Sequence, residues 1–122
     1  MIKAVKFVSI AVHNQDRALE FYTTALGFTI MTDQPMGKGL RWLELAVPGA
    51  DTRVVLHTPS GQEQQIGGFS NVVFSSDNVA KTYEQLTARG VEFVQKPKKE
   101  PWGTSAIFKD PDGNQFVLSS AR

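Results

Sequence analysis

The chain contains no cysteine in its 122 residues, which excludes a disulfide framework, a thiol nucleophile and thiolate metal ligands together. It also lacks a charge excess of either sign: 13 Lys and Arg face 12 Asp and Glu, for a net charge of +1. A nucleic-acid groove needs a clustered basic face. The one basic cluster, Lys96, Lys98 and Lys99, is interleaved with Pro97 and followed by Pro101, and reads as a solvated loop. No stretch approaches the roughly 18 unbroken apolar residues of a membrane span, and the N-terminal residues carry no apolar block of a signal peptide. The expectation is a cytoplasmic, bacterial-type protein without nucleic-acid or membrane partners. Hydrophobic content of 41% and charged content of 20% are ordinary for a folded domain of this length.

What is present is a repeat. An alternating strand pattern from Val5 to Val12 leads through a polar turn into a helical stripe, Ala18, Leu19, Tyr22, Ala25 and Leu26, that stops at Gly27. Asn14 suits the N-cap and Asp16 the first turn. Half a chain later, Phe69–Ser75 reads as strand, Asp77 as the helix cap, Val79, Ala80, Tyr83 and Leu86 as the apolar stripe, and Gly90 as the stop. Three further strand-like runs follow each helix: 28–32, 41–47 and 53–58, then 91–94, 104–109 and 115–119. A fixed-period self-similarity of this kind marks a duplicated unit. The fold class is α+β, with two tandem βαβββ modules forming curved mixed sheets around a cleft. The 122 residues are read as a single domain, with module one over about 1–60, a linker over about 60–67 and module two over about 68–122.

Several stretches resemble one family. They are Arg17-Ala18-Leu19-Glu20-Phe21-Tyr22 with Leu26-Gly27-Phe28, then Ala88-Arg89-Gly90-Val91, and Phe108-Lys109-Asp110-Pro111-Asp112-Gly113-Asn114. In this order and on a duplicated frame, they resemble the vicinal oxygen chelate superfamily of glyoxalase I, bleomycin-resistance proteins and extradiol dioxygenases. The resemblance covers essentially the whole chain. It implies sheets curled around a cleft and assembly as a homodimer, with modules of one or of two subunits completing each cleft.

In metal-dependent members a divalent ion is held by one residue from each of four strands. The resemblance carries those positions onto Phe7, Leu56, Asn71 and Val117. Hydrocarbon side chains have no atom to offer a first-row metal and a carboxamide is a poor substitute, so no metal or other cofactor is expected. The alternative is a displaced site using His57 and Glu44, with Leu56 facing the cleft and His57 facing away in the register read here. Strand parity puts Phe7, Ser9, Asn71, Val73, Val117 and Ser119 on the cleft wall. Trp42 and Trp102 add aromatic surface that stacks on flat or cationic molecules, and Glu44 would be balanced by Arg41 or Arg53. Neither Ser9 nor Ser119 has an adjacent base to activate it, so catalytic residues stay unassigned. The expected function is metal-free binding of an apolar or aromatic small organic ligand at a dimer interface. A glyoxalase-like, metal-dependent lyase, isomerase or dioxygenase is the alternative.

Overall fold

The computed structural model describes residues 1–120 and divides into two compact units, the first ending at Ile66 and the second starting at Gly67. The first unit contains β1 (Phe7–Ala11), α1 (Gln15–Glu20), β2 (Thr29–Pro35), β3 (Arg41–Ala46) and β4 (Arg53–His57). The second contains β5 (Phe69–Ser76), α2 (Val79–Ala88), β6 (Glu92–Glu100), β7 (Gly103–Lys109) and β8 (Gln115–Ser120). Each unit is βαβββ, with sheet orders β1-β4-β3-β2 and β5-β8-β7-β6. The outer pair is parallel and the other neighbours antiparallel in both. No described helix is long and apolar enough to cross a membrane.

In the first unit Asn14 caps α1 by accepting the Arg17 amide at 3.0 Å, as its side chain predicts. Gln15 then ties the helix to the sheet, donating to the carbonyls of Leu56 at 2.9 Å and Arg41 at 3.1 Å. The helix widens into a π turn over Phe21–Ala25 and ends before Gly27, whose φ of +80° is the left-handed conformation that terminates a helix. Ala18, Tyr22 and Ala25 are buried with Ile10, Val12, Leu43, Leu45, Val54 and Leu56. These side chains make the core between the helix and one face of the sheet.

In the second unit the cap is Asn78 rather than Asp77: its side chain accepts the Lys81 amide at 3.0 Å. Aromatic rings dominate this core, with Tyr83 edge-on to Phe93 at 4.7 Å and Phe74 against Phe116 at 5.3 Å. The Lys96–Pro101 stretch, expected as a loop, is largely strand, because β6 runs to Glu100. Its register slips between Gln95 and Lys98, and that bulge lets Pro97, which has no amide to donate, sit within the terminal strand of the sheet.

Asp110-Pro111-Asp112-Gly113-Asn114 is a hairpin corner with buried ends and an exposed Pro111. Asp110 and Asn114 are each 5% exposed. The Asp110 carboxylate accepts from the amides of Asp112 and Asn114 and from the Asn114 side chain, all at 2.9 Å. Asn114 in turn accepts the Gly67 amide at 2.8 Å, fastening the first residue of the unit to its last hairpin. A side chain at Gly67 would be strained: φ is +91° and a Cβ would lie 3.1 Å from the Asp112 carbonyl oxygen.

Candidate functional site

Each sheet has one face covered by its helix and one face, the open face, that no helix of its own unit covers, and the ladders fix which residues share the latter. In the first unit Ser9 pairs with Val55, Ala11 with His57 and Phe7 with Arg53, while Glu44 pairs with Val55 from the other side. Paired residues point the same way, so the open face carries Phe7, Ser9, Trp42, Glu44, Arg53, Val55 and His57. Leu56 pairs with Ile10 and is fully buried on the helix-covered face. The expected orientations of Leu56 and His57 are therefore reversed. Val54, Val55 and Leu56 are all buried, so β4 lacks the polar–apolar alternation from which a facing could be read.

The second unit repeats this register. Val73 pairs with Val117 and Ser75 with Ser119, while Ile107 pairs with Val117 across the antiparallel ladder. Position for position, Ser9, Val55 and Glu44 correspond to Val73, Val117 and Ile107. The partner of Val117 in the duplication is thus Val55, which corrects the carried-over Leu56 by one residue. Asn71 lies within a register irregularity between Phe69 and Val73 and is exposed, as is Val73 at 58%. Trp102 is not the counterpart of Trp42. It lies in the turn between β6 and β7, 60% exposed, and the ladder position equivalent to Trp42 is Ser105.

The first open face holds a connected group of side chains. Phe7 meets Trp42 edge to face, with centroids 5.4 Å apart and planes at 80°. The Trp42 indole N–H donates to Glu44 Oε1 at 3.1 Å, and Arg53 Nη1 donates to Glu44 Oε2 at 3.1 Å. Glu44 is only 12% exposed, and its countercharge is Arg53. Arg41 is engaged elsewhere, bonding Asp33 through Nε at 2.7 Å and Nη2 at 2.9 Å, and Asp16 through Nη1 at 2.6 Å. An open cavity of about 420 Å³ lies beside Glu44 and Arg53, bounded also by Lys3, Lys6 and Asp51.

A divalent ion does not fit these donors. On the first open face the side chains of Phe7 and Val55 have no ligating atom, and both oxygens of Glu44 are committed to an indole and a guanidinium. His57 shares the open face and its Nδ1 is buried without a partner. It lies two residues beyond Val55, about 7 Å along the strand from the Glu44 level. Among the described residues no group of three His, Asp or Glu side chains could enclose a metal. The signal that the sequence carried for this group was the alternation Trp42-Leu43-Glu44-Leu45, which sets Trp42 and Glu44 on one face. The link to Arg53 needed the β3–β4 register.

Four findings come from known proteins. Residues 4–118 match the model of the Glyoxalase/Bleomycin resistance protein/Dioxygenase superfamily. The uncharacterized protein YetH of Bacillus subtilis (strain 168) is 40% identical over 121 residues, covering 97% of this chain and 98% of its own. A superfamily member from Sphaerobacter thermophilus DSM 20745 has 36% identity and a TM-score of 0.89, with 98% of both chains covered. TnmS3, an antibiotic binding protein from Streptomyces sp. CB03234, has 36% identity and a TM-score of 0.83, covering 98% of this chain and 96% of that one.

Proposed function

Because the chain belongs to the Glyoxalase/Bleomycin resistance protein/Dioxygenase superfamily, we propose that it is a metal-free binding protein for a flat, apolar or aromatic small molecule. The observation that carries this reading is the Phe7–Trp42 pair on an open sheet face, where a rigid aromatic surface offers stacking and area burial to a planar ligand. Val73, Ile107 and Val117 on the second open face supply apolar surface of the composition found in organic-ligand pockets. The likeness to an antibiotic binding protein at 36% identity points to the same broad class of ligand. A homodimer is the proposed working form. Ile30, Met31, Met36 and Leu40, 46–52% exposed along β2 and its turn, give a second copy an apolar strip to cover.

The test is a titration of dialysed protein with planar aromatic compounds, read by tryptophan emission. Saturable quenching that Trp42→Phe abolishes and Trp102→Phe retains is expected. Emission indifferent to a chemically broad panel would overturn the reading, and light scattering decides the dimer. A metal-assisted lyase or isomerase is favoured by one observation, the buried, unpartnered His57 Nδ1 on the open face. That alternative requires one nickel, zinc or iron ion per chain to survive dialysis and to be lost in His57→Ala.

A further inference from the structure

Glu44 is a carboxylate in mid-strand, 12% exposed, between two fully buried leucines, Leu43 and Leu45. Withdrawing a carboxylate from water is costly unless partners replace the lost hydration. Here both oxygens are occupied. Arg53, reaching over from β4, bonds one at 3.1 Å and supplies the countercharge, while the Trp42 indole N–H bonds the other at 3.1 Å. The second bond is the informative one. Neutralising Glu44 needs Arg53 alone, whereas the indole bond constrains the tryptophan.

An indole on a strand has two side-chain torsions. The N–H bond to Glu44 fixes one edge of the ring, and the edge-to-face contact with Phe7 at 5.4 Å restrains it from another side. The ring is therefore ordered before any ligand arrives, and a ligand that stacks on it does not bear the entropy of ordering it. The equivalent ladder positions in the second unit, Ser105 and Ile107, can build no such arrangement, so the device belongs to the first unit.

We infer that Glu44 is a positioning residue for ligand recognition: buried and neutralised by Arg53, it holds the Trp42 ring as a preformed wall for a planar ligand. This rests on the aromatic-ligand reading above.

The experiment uses the full chain carrying Trp102→Phe, so that Trp42 is the sole tryptophan of the two, with 8-anilinonaphthalene-1-sulfonate as the probe. Glu44→Leu removes the acceptor. It should lower the steady-state anisotropy of Trp42 and weaken the dye by about tenfold, the scale of one lost charge-assisted hydrogen bond. Glu44→Gln keeps a carbonyl acceptor for the indole, so it should retain the anisotropy and stay within about threefold of the parent. Should Glu44→Leu fail to fold, Trp42→Phe, which keeps a ring but has no N–H, should show the weakened dye binding. Unchanged anisotropy and affinity in Glu44→Leu would overturn the inference, as would a Glu44→Gln variant as impaired as Glu44→Leu. If the parent does not bind the dye, the aromatic-ligand reading falls while the anisotropies still decide whether Glu44 orders the ring.

Discussion

In a corner where it is 5% exposed, Asp110 accepts hydrogen bonds from the backbone amides of Asp112 and Asn114 and from the Asn114 side chain. Removing the carboxylate takes their acceptor from all three donors, and a buried polar group that loses its hydrogen bond costs about 1–3 kcal/mol. Asp110→Ala is therefore expected to destabilise the protein by about 2–3 kcal/mol, read as a lower urea midpoint with an unchanged slope. In the sequence the same residues were legible as a turn and as part of a family signature. That Asn114 also reaches back to Gly67 was not legible, because the contact spans 47 residues and no local pattern encodes it. The Leu56 and His57 facings were missed for a related reason. With Val54, Val55 and Leu56 all buried, parity had to come from pairing with β1 and β3, where Ile10 and Ala11 settle it.

Among the elements, Arg41 joins three. From β3 it bonds Asp33 on β2 with two nitrogens and Asp16 in the first turn of α1 with a third. The paired hydrogen bonds from the guanidinium, aided by its charge, hold the Asp33 carboxyl below the usual carboxylate range. A depressed folded-state pKa stabilises the fold at every pH above the unfolded carboxylate's titration. That contribution is lost as pH falls through the lower folded value. Arg41→Gln should therefore flatten the acid limb of the stability profile, measured as urea midpoints between about pH 2 and 5, while changing its slope near neutrality little. The pair lies at the surface, so the effect should shrink with added salt. Elements with plain alternation, such as β1, β3 and β8, were readable to within a residue or two, as was the stripe of α1, whereas in the stripe read for α2 Ala80 is exposed. The second half of β6 was not, because Lys and Pro resemble loop composition. Charged residues and proline also suit the terminal strand of a sheet, where they discourage pairing with another chain.

Across the whole chain, one architecture is written twice with different chemistry on its two open faces. Ladder positions that carry Ser9, Glu44, Arg53 and His57 in the first unit carry Val73, Ile107, Gln115 and Ser119 in the second. The duplication was visible in the sequence because helix stops and strand alternation survive divergence, whereas the side-chain group around Glu44 depends on a register that only the paired strands define. That division decides what the molecule can hold. The four positions that the resemblance carries over are, with Val55 in place of Leu56, Phe7, Val55, Asn71 and Val117, and of these side chains only Asn71 has a polar atom. His57 adds one imidazole, but Glu44 is committed to Trp42 and Arg53, and a first-row ion held by a single strong donor exchanges freely with buffer. Dialysis of the protein against nickel or zinc, followed by removal of free ion, is therefore expected to leave well below one metal per chain, with His57→Ala indistinguishable from the parent. Affinity for planar aromatic compounds should be unaffected by a chelator and should fall when Trp42 is replaced. One tightly held ion per chain, released by His57→Ala together with ligand affinity, would place recognition on a metal instead of on the aromatic pair.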